Sequence, residues 1–196
     1  GQLEPHMLFN TLANLRVLIS LDPVRAQTML DHIIAYLRAT LSASRHGPDS
    51  PPHTLEAEFA RLGDYLALMT IRMGPRLQVT LDLPDALRHA PIPPLLLQPL
   101  AENAIQHGLE PKVAGGHIVV RASRCGTPDA PGLCLTVTDD GVGTAASLPT
   151  AQAGSGFGTT QVRERLATAY GPAATFELIA LNPTGICASV RIHYKP

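Results

Sequence analysis

Gln98-Pro99-Leu100-Ala101-Glu102-Asn103-Ala104-Ile105-Gln106-His107-Gly108 reads as the body of a helix running from Leu95 to Gly108, with Gly108 placed to cap it. Asn103 stands mid-helix among apolar neighbours, Leu100, Ala101, Ala104 and Ile105. An amide oxygen there is either an ordinary polar group on a solvated face or a hard ligand of the kind magnesium takes. Downstream, Leu133 to Thr138 reads as a strand and runs into Asp139-Asp140-Gly141-Val142-Gly143. Glycines at a strand end let backbone come close to a ligand, and the carboxylate of Asp139 can accept a hydrogen bond from an amino group. A plain hairpin turn is the competing reading of that motif. Gly154-Ser155-Gly156-Phe157-Gly158 then precedes a helix, Gln161 to Tyr170, which sets glycine amides and a helix N-terminus where phosphate is favoured. The pattern is not a P-loop, because no Gly-Lys-Ser/Thr follows, and it is not a dinucleotide fingerprint, because no strand leads directly into it.

Working outward, Leu77, Val79, Leu81 and Leu83 alternate as a half-buried strand, and Pro84 to Pro94 is a proline-rich connection. Ile118-Val119-Val120 is a further strand. Ala174 to Leu181 and Ile186 to Tyr194 form a closing hairpin around Asn182-Pro183-Thr184-Gly185. Before Gly74-Pro75 the chain reads as helical. Asp22-Pro23 starts a helix whose predicted apolar face is Leu30, Ile33, Ile34, Leu37 and Leu41. Arg45 to His53 is a loop, and Thr54 with acid in the next turn is an N-cap. Leu55, Phe59, Leu62, Leu66, Met69 and Met73 form a coiled-coil-like seam, which closes either a hairpin within the chain or a bundle between two chains. The predicted architecture is α+β: a helical region at 1–74 and a two-layer α/β sandwich with a mixed sheet at 75–196.

At the other end stands Pro5-His6-Met7-Leu8-Phe9-Asn10. Neutral imidazole is a competent nucleophile near pH 7, and Asn10, one helical turn after His6, can hold one ring nitrogen while the other attacks. The remaining histidines, His32, His46, His53, His89, His107, His117 and His193, are read as surface or core residues, with His107 also a candidate for approach to phosphate.

With 196 residues, 45% of them hydrophobic, the chain can bury a core. A formal net charge of −1 and few aromatics give nucleic-acid binding no electrostatic or stacking support. Cys125, Cys134 and Cys187 have no C-x-x-C spacing, which points to a reducing compartment and away from a disulfide framework or zinc site. No apolar run approaches the ~20 residues that cross a bilayer, and no signal-peptide pattern is present. A start at Gly1-Gln2-Leu3-Glu4 that runs straight into the motif reads as a piece of a longer chain.

Taken in this order and spacing, the motifs resemble the GHKL-type ATP-binding domain shared by histidine kinases, gyrase-type topoisomerases, some chaperones and MutL repair proteins. The resemblance implies magnesium at Asn103, adenine at Asp139, and a lid bordered by Gly141, Gly143, Gly156 and Gly158. Hydrolytic members carry a Glu four residues before the magnesium Asn. Pro99 stands there, so water has no base at that position and another nucleophile is favoured. With the His6 motif added, the chain resembles the LytS-like sensor histidine kinases, whose signature is Pro-His-Phe-Leu-Phe-Asn. The likeness extends to Tyr65-Leu66, Arg72, Ile92 to Pro99 and Val162-Arg163-Glu164-Arg165-Leu166. It implies ATP-dependent autophosphorylation of His6 in a homodimer, then transfer to an aspartate of a response regulator, often of the LytTR type. It also implies membrane attachment through upstream segments and a cytoplasmic position for this part.

Several positions depart from the family pattern. Met7 replaces Phe, Asp140 stands where Asn is common, and Thr159 and Gln161 replace Leu and Asn. No acid follows His6, which leaves the general base unassigned, with Glu4 the nearest candidate. Arg163 and Arg165 are candidates either for phosphate or for a structural role. Two other readings stay open: a catalytically silent dimeric scaffold, motivated by Thr159 and Gln161, and an anti-sigma-type protein serine kinase, which leaves the His6 motif unexplained.

Overall fold

The computed structural model describes residues 5–43, 52–127, 130–143 and 157–194, with backbone alone at 5–8, 39–43, 157 and 158. Three helices lead: α1 (Pro5–Leu21), α2 (Pro23–Ala43) and α3 (Leu55–Met73). The break between α1 and α2 follows from Asp22-Pro23. The Asp22 carboxylate accepts the Arg25 amide at 3.1 Å, and proline in the first turn has no N–H to leave unpaired.

The helices pack through stripes that differ in part from the expected ones. On α1, Thr11 and Leu15 are buried; on α2, Ala26, Met29, Ile33 and Tyr36 are. The predicted α2 face is thus divided. Ile33 is buried and Leu37 packs partly against the core, whereas Leu30 and Ile34 are exposed. Both sides of α2 carry apolar residues, so periodicity alone cannot choose the inward one; the side chain of Leu41 is outside those described. The α3 seam is as expected. Leu55, Phe59, Leu62, Leu66 and Met69 are buried and Met73 packs partly against the core, closing within the chain on α2, β1 and α4. Thr54 caps α3 by accepting the Ala57 amide at 3.3 Å, an interaction worth about 1 kcal/mol. Gly74, at φ 64, ends the helix.

The sheet contains β1 (Leu77–Asp82), β2 (Gly116–Thr127), β3 (Ala130–Asp139), β4 (Ala174–Ala180) and β5 (Ile186–His193), in the order β1-β2-β3-β5-β4. β1 and β2 are parallel, with Leu77 opposite Gly116, and the other pairs are antiparallel, so the sheet is mixed. Ile118, Val120, Leu133, Leu135, Val137, Val190 and Ile192 form its buried face. Leu100, Ala101 and Ile105 from the Asn103 helix, and Val162 and Leu166 from α5 (Phe157–Tyr170), join the same core. The three cysteines are free and half-buried. Among the described residues no helix is long and apolar enough to cross a membrane.

The Asn103 helix departs from its predicted form. It begins at Gln98 rather than Leu95, because Leu95 takes φ 60 and cannot continue a helix. It is α-helical over Gln98–Asn103 (α4) and widens into a π turn over Ala104–Leu109, where the Glu110 amide reaches the Ile105 carbonyl at 2.8 Å. Gly108 therefore lies inside the turn and does not cap it. Arg72 pairs with Glu110, and Arg76 donates to the carbonyls of Glu110 and Lys112 at 3.2 and 2.8 Å, fixing the far end.

A buried charge cluster holds the near end. Glu58 of α3 is 1% exposed, and its carboxylate accepts from the Leu95 and Leu97 amides at 3.1 and 2.9 Å, from His53 at 2.8 Å and from Arg61. Burial pushes this carboxyl up, but the His53 hydrogen bond, the Arg61 charge and the Leu97 amide outweigh it and hold the group below its ordinary 4.5. A folded-state value below the unfolded one gives stability that is present above the unfolded value and lost as pH falls through the folded one. Denaturant midpoints measured from neutral pH to about pH 3 should therefore fall more steeply for the native chain than for Glu58→Gln.

Candidate functional site

The structure brings the turn that follows Asn103 and the glycine loop together. The Val142 amide donates to the Gly108 carbonyl at 2.9 Å, tying the loop after β3 to the π turn after Asn103. The approach is too close for side chains. A Cβ on Gly108 would lie 2.6 Å from Asp139 Oδ1, and one on Gly141 would lie 2.3 Å from the Gly108 carbonyl carbon. Gly143 meets the β4–β5 turn in the same way, 2.3 Å from the Gly185 nitrogen. Contact within the fold thus accounts for these glycines.

Asp139, at the end of β3, is 3% exposed, and its Oδ1 accepts the Gly141 amide at 2.9 Å. Burial, and to a smaller degree the charge of Asp140, raises its pKa above the ordinary 3.8, against the lowering effect of the Gly141 amide. Asn103 is half-buried at the end of α4 and His107 is exposed on the π turn. The polar run behind them continues into the helical region. Gln98 Nε2 donates to the Tyr36 hydroxyl at 2.6 Å and to Glu102 at 2.8 Å.

The remaining predicted residues lie elsewhere or outside the described set. His6 is in the first turn of α1, its side chain undescribed, and Asn10 is exposed one turn later. Gly158 is in the first turn of α5; Gly156, with Gly154 and Ser155, lies outside the described residues. Arg163 stacks its guanidinium 4.9 Å over the Phe176 ring, and Arg165 donates to the Pro94 carbonyl at 2.6 Å, so both take structural roles here.

Asp140 has a local reason. Its Oδ1 accepts the His117 amide at 2.8 Å, and Lys112 reaches its carboxylate at 3.5 Å and its carbonyl at 2.5 Å. The lysine balances the charge that an asparagine there would lack. Thr159 is buried at 7% exposure in the first turns of α5. Sequence reasoning missed the Glu58, His53 and Arg61 cluster. Its only signal is three polar residues near the start of an apolar-faced helix, a pattern common on solvated helices.

A mixed five-stranded sheet under an asparagine-bearing helix, joined to an Asp-x-Gly-x-Gly loop, defines an α+β domain of the GHKL ATP-binding fold. Solved structures agree on that fold. The histidine kinase domain of the Erythrobacter litoralis EL346 blue-light activated histidine kinase matches 86% of this chain and 74% of its own at a TM-score of 0.55, with 18% identity. The catalytic domain of histidine kinase ThkA matches 74% and 96% at 0.55, with 12% identity. The family model described as Histidine kinase matches residues 1–77. The sensor histidine kinase YesM of Bacillus subtilis is 33% identical over 87% of this chain and 28% of its own length. The sensor protein LytS of Staphylococcus saprophyticus is 31% identical over 73% and 23%. This chain belongs to the histidine kinase family, in its LytS-like branch. It spans only about a quarter of the length of the curated relatives it matches.

Proposed function

We propose that this chain is the catalytic region of a sensor histidine kinase, which transfers the γ-phosphoryl of ATP to His6 and passes it to an aspartate of a response regulator. The observation that carries the nucleotide half is the direct bond between the Gly108 turn and the Gly141-Val142 loop, which sets a buried carboxylate beside the Asn103 helix. The donor set suits the ligand. Asp139 offers a buried anionic acceptor for an adenine amino group, and Asn103 offers one neutral oxygen for magnesium, which takes few protein ligands when phosphates supply the rest. Magnesium, when bound, neutralises charge on the phosphate oxygens as the bond to the leaving group breaks. A ring nitrogen of His6 that carries no proton attacks phosphorus, the bond to the ADP oxygen breaks, and the imidazole retains its other N–H, which Asn10 can accept.

The rest of the reading is organisational. The division is 1–74 as the dimerisation and acceptor region and 75–196 as the ATP-binding domain, which share one hydrophobic core. Phe9, Leu12 and Ile19 on α1 and Val24, Leu30 and Ile34 on α2 are exposed, at 70%, 49%, 58%, 75%, 44% and 39%, an apolar surface suited to a second copy. The regulator is of the LytTR type, and the longer protein sits in the bacterial inner membrane with this part in the cytoplasm. A full-length ShkA structure, 17% identical with a TM-score of 0.55, was solved with AMPPNP, which supports ATP as the nucleotide.

Calorimetry with ATP and magnesium tests the adenine assignment. Asp139→Asn should weaken binding by about 10- to 100-fold, the worth of a hydrogen bond to a charged group. Because burial raises the carboxyl above 3.8, affinity should begin to fall at a higher pH than an ordinary aspartate would allow. Equal affinity for both proteins would remove Asp139 from the site.

A further inference from the structure

We propose that Glu58, held by His53 and Arg61, is a positioning residue for the nucleotide helix, setting where Asn103 stands; the inference rests on the reading of Asn103 as a magnesium ligand. Leu95 takes φ 60, a backbone state that a bulky side chain adopts only when its surroundings impose it. The surroundings are visible. The amides of Leu95 and Leu97 end on the two oxygens of one carboxylate, at 3.1 and 2.9 Å, and the neighbouring Pro94 carbonyl is held by Arg165 at 2.6 Å. Leu97 immediately precedes α4, so its N–H is among those a helix start leaves without a partner inside the helix. Glu58 therefore fixes both the turn into the helix and the first residue of its entry, and Asn103 ends the same six-residue helix. Its side chain is fully buried, and the Arg61 guanidinium and the His53 ring meet the carboxylate with both oxygens engaged. Arg165 belongs to α5, so the element that follows the glycine segment holds the same turn.

Small errors in ligand placement are costly, since second-tier supports of metal sites are worth about 10- to 100-fold in affinity or activity. Glu58→Asp keeps the charge balance but is one methylene too short to span both amides, and Glu58→Gln keeps the length but puts a donor against donors. ATP affinity is measured for each in the His6→Gln background, with magnesium and with chelator, and thermal midpoints are recorded. Leu62→Ala, a cavity on the same helix, serves as the comparison. The expected result is that both Glu58 variants lose about tenfold or more of the magnesium-dependent gain in affinity while affinity in chelator, which rests on Asp139, is retained. Leu62→Ala should lower the midpoint and keep the gain. If Glu58→Asp folds, loses thermal stability and keeps the full gain, the carboxylate is structural only and the proposal is overturned. If the parent itself shows no magnesium-dependent gain, the role of Asn103 fails and the inference falls with it.

Discussion

Glutamine in place of His6 is expected to abolish covalent phosphorylation entirely while leaving ATP affinity unchanged. An imidazole nitrogen presents a lone pair at neutral pH, whereas the amide nitrogen of glutamine has its pair delocalised and does not attack phosphorus. The loss is thus of the nucleophile itself and falls to background. In the proposed site, nucleotide is held by Asn103, Asp139 and the loop around Gly141, none of which is in α1, so the variant is expected still to bind. Glutamine is also a good helix former, so the first turn of α1 (Pro5–Leu21) is undisturbed. The check is labelled ATP on parent and variant together with calorimetry. Label in the variant would move the acceptor to another side chain.

Asn103→Ala carries the second large effect. The substitution removes the amide oxygen proposed to meet magnesium, and the expected loss in labelling rate is about 10²-fold or more, the scale seen when a charge-stabilising group is deleted from a reacting site. The fold should not suffer. Asn103 is half-buried, so no closed cavity is left, and alanine favours a helix interior by up to about 0.7 kcal/mol over asparagine. The sign is therefore distinctive: a thermal midpoint equal to or above the parent's, with the magnesium-dependent part of ATP affinity gone. Retention of that part would assign the metal to other groups.

The fold was legible where local chemistry is strong. Proline after Asp22, threonine before α3 and glycine at position 74 each announce an element boundary through backbone sterics or capping, and the alternation on β1 announced the strand but not its whole face, since Leu77 is buried and Leu81 is exposed. The proposed site was drawn from the same kind of local signal, since its glycines and the Asn103 amide are read from their spacing along the chain. Three features were not legible, each because its cause is tertiary. Glu58 looks like a first-turn acid near the helix dipole, and only the path of Leu95 to Leu97 shows that it faces inward. The π turn over Ala104–Leu109 depends on how closely Gly108 and Asp139 approach, which spacing does not encode. On α2 both stripes are apolar, so Leu30 and Ile34 were indistinguishable from the core positions Met29, Ile33 and Tyr36.

The most direct test of the account is the chemical stability of the phosphate the chain acquires. The protein is incubated with γ-labelled ATP and magnesium, denatured, and washed in acid and in alkali. The account predicts label that is lost in acid and kept in alkali, as a phosphorus–nitrogen bond to imidazole requires. Label that survives acid and is lost in alkali would mark a hydroxyl ester and contradict a histidine acceptor.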